Sequence, residues 1–146
     1  MTIHTRTAYA FEDLQVGMEA SMSRSVTERD LVSFAEISGD KNPVHLDADY
    51  AARTMFKERI AHGMLTAGYI SAVFGTELPG PGCIYVSQTL NFRGPVRIGD
   101  TVIAKVTLAE LMPAKRRARF DCVCSVAGKP VLEGEAILMV PARSAG

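Results

Sequence analysis

The stretch AHGMLTAGYISAVFGTELPGPG reads as a helix that is apolar almost all the way round. Met64, Leu65, Ala67, Tyr69, Ile70, Ala72, Val73 and Phe74 cover nearly every side, so the helix must be buried on most sides. Gly75 and the PGPG run close it. The apolar run is shorter than the roughly 20 residues that cross a bilayer, and Gly68 interrupts it. It therefore has to be wrapped by protein. A chain of 146 residues has room for one domain, so the wrapping must come from the rest of the same small fold.

The flanking sequence supplies strands. In CIYVSQTLNF, Ile84, Val86, Leu90 and Phe92 alternate with Tyr85, Ser87, Thr89 and Asn91, which predicts one strand. After breaks at Gly94-Pro95 and Gly99-Asp100, three more runs follow at 101–111, 117–126 and 131–140. Upstream, the segment 11–26 holds one short strand after Gly17. Thr27 predicts a helix N-cap, with Asp30 three residues on in a weaker version of the capping box. Leu31, Phe34, Ala35 and Ser38 keep helical spacing, and Gly39 stops the helix.

Strand, helix, apolar helix and four consecutive strands make an α+β chain. The economical arrangement is an antiparallel sheet curled around one buried helix, a description that fits the hot-dog fold. Such a sheet leaves edge strands exposed, so pairing into a homodimer is expected. One domain over 11–140 is expected, with 1–10 and 141–146 as loose tails.

Charge narrows the function classes. Sixteen basic and sixteen acidic side chains cancel, which points to a small ligand and away from nucleic acid. No apolar segment predicts a signal or a membrane span. Three cysteines form no disulfide framework, and no Cys/His partners have metal-ligand spacing, so buried reduced thiols and a cytoplasmic location are expected.

The chemistry-bearing residues concentrate in SGDKNPVHLD, residues 38–47. Asp40 and His45 are five positions apart, an offset that an ideal helix turns through about 140° and that a strand places on opposite faces. Only an irregular loop brings them together. Gly39 permits a left-handed exit from the helix, Pro43 restrains Asn42 toward an extended conformation, and the Asn42 amide can stiffen the turn. A bend of that kind can hold one water between an acid and an imidazole. The competing reading has Asp40 capping a turn and His45 making one structural hydrogen bond. His45 and Asp47 are only two ligands, so no metal is expected. Farther on, Gly63 opens the apolar helix. Its backbone N–H, with the helix dipole behind it, is placed to stabilise a developing oxyanion, although close packing would also explain a glycine there. His62 reads as a structural histidine at the helix end.

The stretch FAEISGDKNPVHLDADYAA, from Phe34 to Ala52, resembles the hydratase motif of the MaoC-like family, the (R)-specific enoyl-CoA hydratases. The family's Asp, Asn-Pro and His fall on Asp40, Asn42, Pro43 and His45. HGM, PGPG and FRGPVRIGD also resemble the single-hot-dog members that serve polyhydroxyalkanoate synthesis. The resemblance implies reversible syn hydration of a trans-2-enoyl-CoA to the (R)-3-hydroxyacyl-CoA, without cofactor. It implies that Asp40 and His45 hold and activate the water, that Asn42 orients the loop and that the Gly63 N–H binds the thioester oxygen. Which of the acid and the imidazole is the formal base is left open. An acyl slot beside the buried helix makes Ser71 and Phe74 candidate wall residues, with core packing as the alternative for each. Arg93, Lys115, Arg116 and Arg117 are candidates for the CoA phosphates, with a solvated hairpin turn as the competing reading of 115–117.

Three other functions are carried alongside: a dehydratase acting on acyl-carrier-protein thioesters, a hot-dog thioesterase and a non-catalytic partner subunit. The thioesterase needs a carboxylate on the buried helix, and the sequence has none between Gly63 and Gly75. The intact Asp40, Asn42 and His45 set counts against a non-catalytic subunit.

Overall fold

A computed structural model describes residues 8–143 of the chain. The first long helix, α1 (Glu28–Ser38), begins in a full capping box. Asp30 N–H donates to Thr27 Oγ1 at 3.1 Å, and Thr27 N–H donates to the Asp30 carboxylate at 2.9 Å. Two of the donors that a helix start leaves unpaired are thereby satisfied. Leu31 and Ala35 bury its inner face, and Gly39 ends it in the left-handed region at φ 79°. Two short helices follow, α2 (Pro43–Leu46) and α3 (Ala48–Ala52), and then the apolar helix α4 (Gly63–Thr76).

Six strands form one antiparallel sheet: β1 (Glu19–Ser25), β2 (Ile84–Gln88), β3 (Asn91–Phe92), β4 (Thr101–Met112), β5 (Arg117–Val126) and β6 (Lys129–Met139). The order is β1-β4-β5-β6-β2, with β3 also on β6. Period-two patterning decides which face is inside. Val102, Ala104, Val106 and Leu108 of β4 and Ala118, Phe120, Cys122 and Cys124 of β5 are all buried. Helix α4 packs against β1, β4, β5 and β6, so the sheet curls round it in the hot-dog arrangement. Ile70, Val73 and Phe74 fill the space between, with the Phe74 and Phe120 rings edge to face at 5.0 Å.

The structure departs from the sequence reading, or sharpens it, in the sheet, on α4 and at the chain ends. CIYVSQTLNF is not one strand: β2 ends at Gln88 and β3 begins at Asn91. Thr89 passes over Gly134, where an added Cβ would meet its carbonyl oxygen at 1.9 Å. Its N–H donates to Glu135 O at 2.8 Å, and its hydroxyl accepts from Glu135 N–H at 2.9 Å. Alternation cannot reveal such a crossover, because the glycine that admits it lies on another strand.

Secondly, the sheet does not enclose α4 completely. Met64, Gly68, Ser71 and Gly75, spaced as one helical stripe, remain exposed. Thirdly, the described residues of the expected tails are tied down. Tyr9 N–H donates to Pro79 O at 3.0 Å, Phe11 N–H to Pro141 O at 2.9 Å, and Arg143 N–H to Glu12 at 2.8 Å. Residues 1–7 and 144–146 lie outside the described residues.

Candidate active site

The loop after α1 is built by local hydrogen bonds that its sequence dictates. Ser38 Oγ donates to Phe34 O at 2.6 Å and accepts from Asp40 N–H at 3.1 Å. Asp40 Oδ1 then accepts from Asn42 N–H at 3.2 Å, and Asn42 Oδ1 accepts from Val44 N–H at 3.2 Å. Asn42 thus caps α2, and Pro43 occupies its first turn, where a missing N–H does no harm. His45 was expected outside regular structure, but it lies within this single turn of helix. The correction has a physical cause: the Asn-Pro pair starts a helix while it bends the chain.

The turn carries His45 into the interior, where its Nδ1–H donates to Ile60 O at 2.7 Å. A carbonyl can only accept, so this bond fixes the neutral ring with Nε2 as a bare acceptor. The Ile60 carbonyl is itself held in place, since Ala61 N–H donates to Val96 O at 2.7 Å. Burial lowers the His45 pKa most, the Ile60 bond opposes that, the nearby His62 lowers it further and Asp40 raises it. The net direction is down, so the imidazole stays uncharged near neutral pH.

His62 completes a cluster with these two. A carboxylate oxygen of Asp40 and one nitrogen of each histidine lie within 4.8 Å of one another. One water accepting or donating at about 2.8 Å on each side spans such a separation. The trio also has the residue types of a metal site, but the two imidazoles are stacked, with centroids 3.8 Å apart and planes at 25°. Stacked rings aim their in-plane lone pairs side by side, so they do not converge on one ion.

At the start of α4, Gly63 has no intrahelical acceptor for its N–H. The Phe92 ring lies directly against it: a Cβ at Gly63 would sit 2.5 Å from Phe92 Cε1. Together with His45, His62, Met64, Phe92 and Arg93, Gly63 lines an apolar cavity of about 610 Å³. The two imidazoles and a helix N-terminus therefore share one cavity wall, with the exposed Asp40 carboxylate beside the rings.

A family profile described as "MaoC like domain" matches residues 12–133. The chain belongs to the MaoC-like family. It is 58% identical over 133 residues to an (R)-specific enoyl-CoA hydratase of Rhodospirillum rubrum, covering 91% of this chain and 92% of that protein. It is 59% identical over 133 residues to a 3-hydroxybutyryl-CoA dehydratase of Methylorubrum extorquens, covering 91% and 85% respectively. Among solved structures, the unliganded R-hydratase PhaJ1 of Pseudomonas aeruginosa superposes with a TM-score of 0.89 at 50% identity, covering 93% of this chain and 88% of that one.

The remaining residues singled out from the sequence are placed unevenly in this MaoC-like chain. Arg93 borders the cavity and pairs with Glu133 at 3.3 Å. Lys115, Arg116 and Arg117 do not border it. They form the β4–β5 turn, where Arg117 pairs with Met139 at the far end of β6 from the cavity-lining Val131. Eight strand positions separate those ends, roughly 26 Å, so the basic run belongs to a hairpin turn. Phe74 is a core residue between Tyr85 and Phe120 and does not line the cavity. Ser71 lines a second groove of about 490 Å³ with Gly68, Tyr85 and Val86, and Met64 is common to both spaces. Reasoning from the sequence missed Phe92, read only as a strand residue, and the Ile60 carbonyl, which has no side-chain signal at all. It named His62 without bringing it to the site.

Proposed function

We infer that this chain is an (R)-specific enoyl-CoA hydratase, a hydro-lyase that adds water reversibly across a trans-2-enoyl-CoA. The observation that carries the reading is the meeting of the Asp40 carboxylate with His45, whose Nε2 is kept bare and whose ring lines the apolar cavity that also holds the Gly63 helix start. In the proposed reaction one water donates a hydrogen to each of Asp40 and His45 and aims a lone pair at C3. As the C3–O bond forms, the alkene electron pair moves toward the thioester. The oxygen becomes enolate-like beside the Gly63 N–H, where the helix dipole lowers the barrier. The proton lost by the water returns to C2 from the same pair, and delivery from one side gives syn addition. Asn42 holds the loop through its bonds to Asp40 and Val44.

The thioester end enters past Arg93, a candidate for CoA phosphate contact, and the acyl chain is directed past Met64 toward the groove at Ser71. A homodimer is supported by the exposed stripe on α4 and by the edge strand β2, where Ile84, Tyr85 and Val86 are exposed. Three unbridged cysteines, two of them buried, support a reducing compartment, the cytoplasm; no described helix is long and apolar enough to cross a membrane.

The test is the loss of conjugated absorbance from crotonyl-CoA, coupled to dehydrogenases specific for the (R) or the (S) alcohol. Product accepted only by the (R)-specific enzyme is expected. Asp40→Asn and His45→Gln should each abolish turnover while the protein stays folded; full activity in both variants would overturn the mechanism.

A further inference from the structure

We propose that His62 is a positioning residue, a strut that ties the Asp40 loop to the face of the His45 ring and sets the separation one water must span. The proposal deepens the hydratase reading and rests on it for its kinetic test, but not for its spectroscopic one.

His62 is only 2% exposed and lies between two rings, Phe34 at 4.8 Å and His45 at 3.8 Å between centroids. Its Nε2–H donates to the backbone carbonyl of Asp40 at 2.9 Å, a bond between residues 22 apart in sequence. That bond is the loop's tie to another element. The other hydrogen bonds of Asp40 are local, to Ser38 Oγ and from Asn42 N–H. One side chain therefore fixes the backbone that carries the acid and, through its ring face, the tilt of the imidazole. The Ile60 carbonyl holds His45 only at its Nδ1 edge.

The unused edge of His62 strengthens the argument. Because Nε2 carries the hydrogen, Nδ1 is a bare acceptor, and it is buried without a hydrogen-bond partner among the described residues. Leaving such an atom bare destabilises the fold, and an apolar ring of similar size would fill the space without that loss. A residue needed only for packing has no reason to be histidine here. The polar edge is explained by the bond to Asp40.

Two substitutions separate the roles. His62→Phe keeps a ring between Phe34 and His45 but removes the donor, whereas His62→Gln keeps a donor and removes the ring. With crotonyl-CoA, each is expected to lower kcat about 10- to 100-fold with KM within about threefold, because misplacement by about 1 Å costs up to 100-fold. The groups facing His45 are the Asp40 carboxylate, His62 and the Ile60 carbonyl, and His62 is the one that opposes a positive charge on it. The His45 titration, followed by NMR of the imidazole, should therefore move up in His62→Phe, and the acid limb of kcat/KM should move with it.

Wild-type kcat in folded His62→Phe together with an unchanged His45 titration would overturn the proposal and leave His62 a packing residue. If His62→Phe does not fold, His62→Gln is judged by its kcat and by amide exchange at residues 40–42, where wild-type values refute the strut. A wild-type protein that does not hydrate crotonyl-CoA defeats the hydratase reading instead. The strut is then judged by the His45 titration and loop exchange alone, where a change in the variants supports it and wild-type behaviour refutes it.

Discussion

Substituting Gly63 by alanine tests the proposed oxyanion site without deleting any hydrogen-bonding group. The new Cβ would stand 2.5, 2.9 and 3.1 Å from Phe92 Cε1, Cδ1 and Cζ. A ring carbon needs about 3.5 Å, so the Phe92 ring must retreat by roughly 1 Å. Phe92 is 54% exposed, so it can swing aside without disrupting the core. Overpacking a core costs about 1–3 kcal/mol, a range that bounds the strain from above for a ring this exposed. If that strain falls wholly on the reacting geometry, kcat/KM drops by up to about 5- to 160-fold at 1.36 kcal/mol per decade. Alanine is a good helix former, so the melting temperature should fall by only a few degrees. Steady-state hydration of crotonyl-CoA measures the first quantity and thermal unfolding the second. The control is Gly63→Ala combined with Phe92→Ala, which removes the opposing ring. Activity of the double variant should exceed that of Gly63→Ala alone, a coupling expected of side chains in contact. Wild-type activity in Gly63→Ala, or equal losses with and without the ring, would refute the reasoning.

Four further outcomes follow from the structure. The acid limb of kcat/KM should lie below the ordinary imidazole value of about 6.5, because burial favours the neutral His45; a limb at or above that value would contradict His45 as the titrating group. The same downward shift means that the His45 contribution to stability is complete above about 6.5 and is lost as pH falls through the lower folded value, which acid unfolding curves will register. Gly134→Ala would drive a Cβ to 1.9 Å from the Thr89 carbonyl oxygen, which is backbone and cannot swing away. Its cost at the top of the overpacking range, about 3 kcal/mol, should lower Tm by about 6–12 °C. Burial pushes Cys122 up to about 11 and Cys124 up to about 12, so neither should react with a thiol reagent at pH 8 until denaturant is added.

The sequence carried the local structure well wherever neighbouring residues were sufficient to define it. Thr27 and Asp30 made the capping box, Gly39 ended α1, and alternation located β4, β5 and β6 within a few residues. The bend that carries the candidate site was readable to the same degree. Asp40, Asn42, Pro43 and His45 form a local circuit of hydrogen bonds whose members are all close in the chain.

Reading failed where one segment met another. The break between β2 and β3 depends on Gly134, and the uncovered stripe on α4 depends on how far the sheet curls. Phe74 and Ser71 occupy one helix, yet the sheet puts the first in the core and the second beside a groove. For Lys115, Arg116 and Arg117 the hairpin-turn reading agrees with the structure, and register carries them to the end of the sheet away from the cavity.

What the sequence by itself determined was the longer elements α1, α4, β4, β5 and β6, the bend that carries Asp40 and His45, and the glycine that opens the apolar helix. All of these depend on backbone preferences and hydrogen bonds within a few residues. Only the tertiary structure decided that the Ile60 carbonyl would set the His45 tautomer, that His62 would stack beneath that ring, and that Phe92 would close over Gly63. Those contacts join α2, the segment before α4 and β3, and their distances follow from how the sheet wraps the helix rather than from any spacing along the chain.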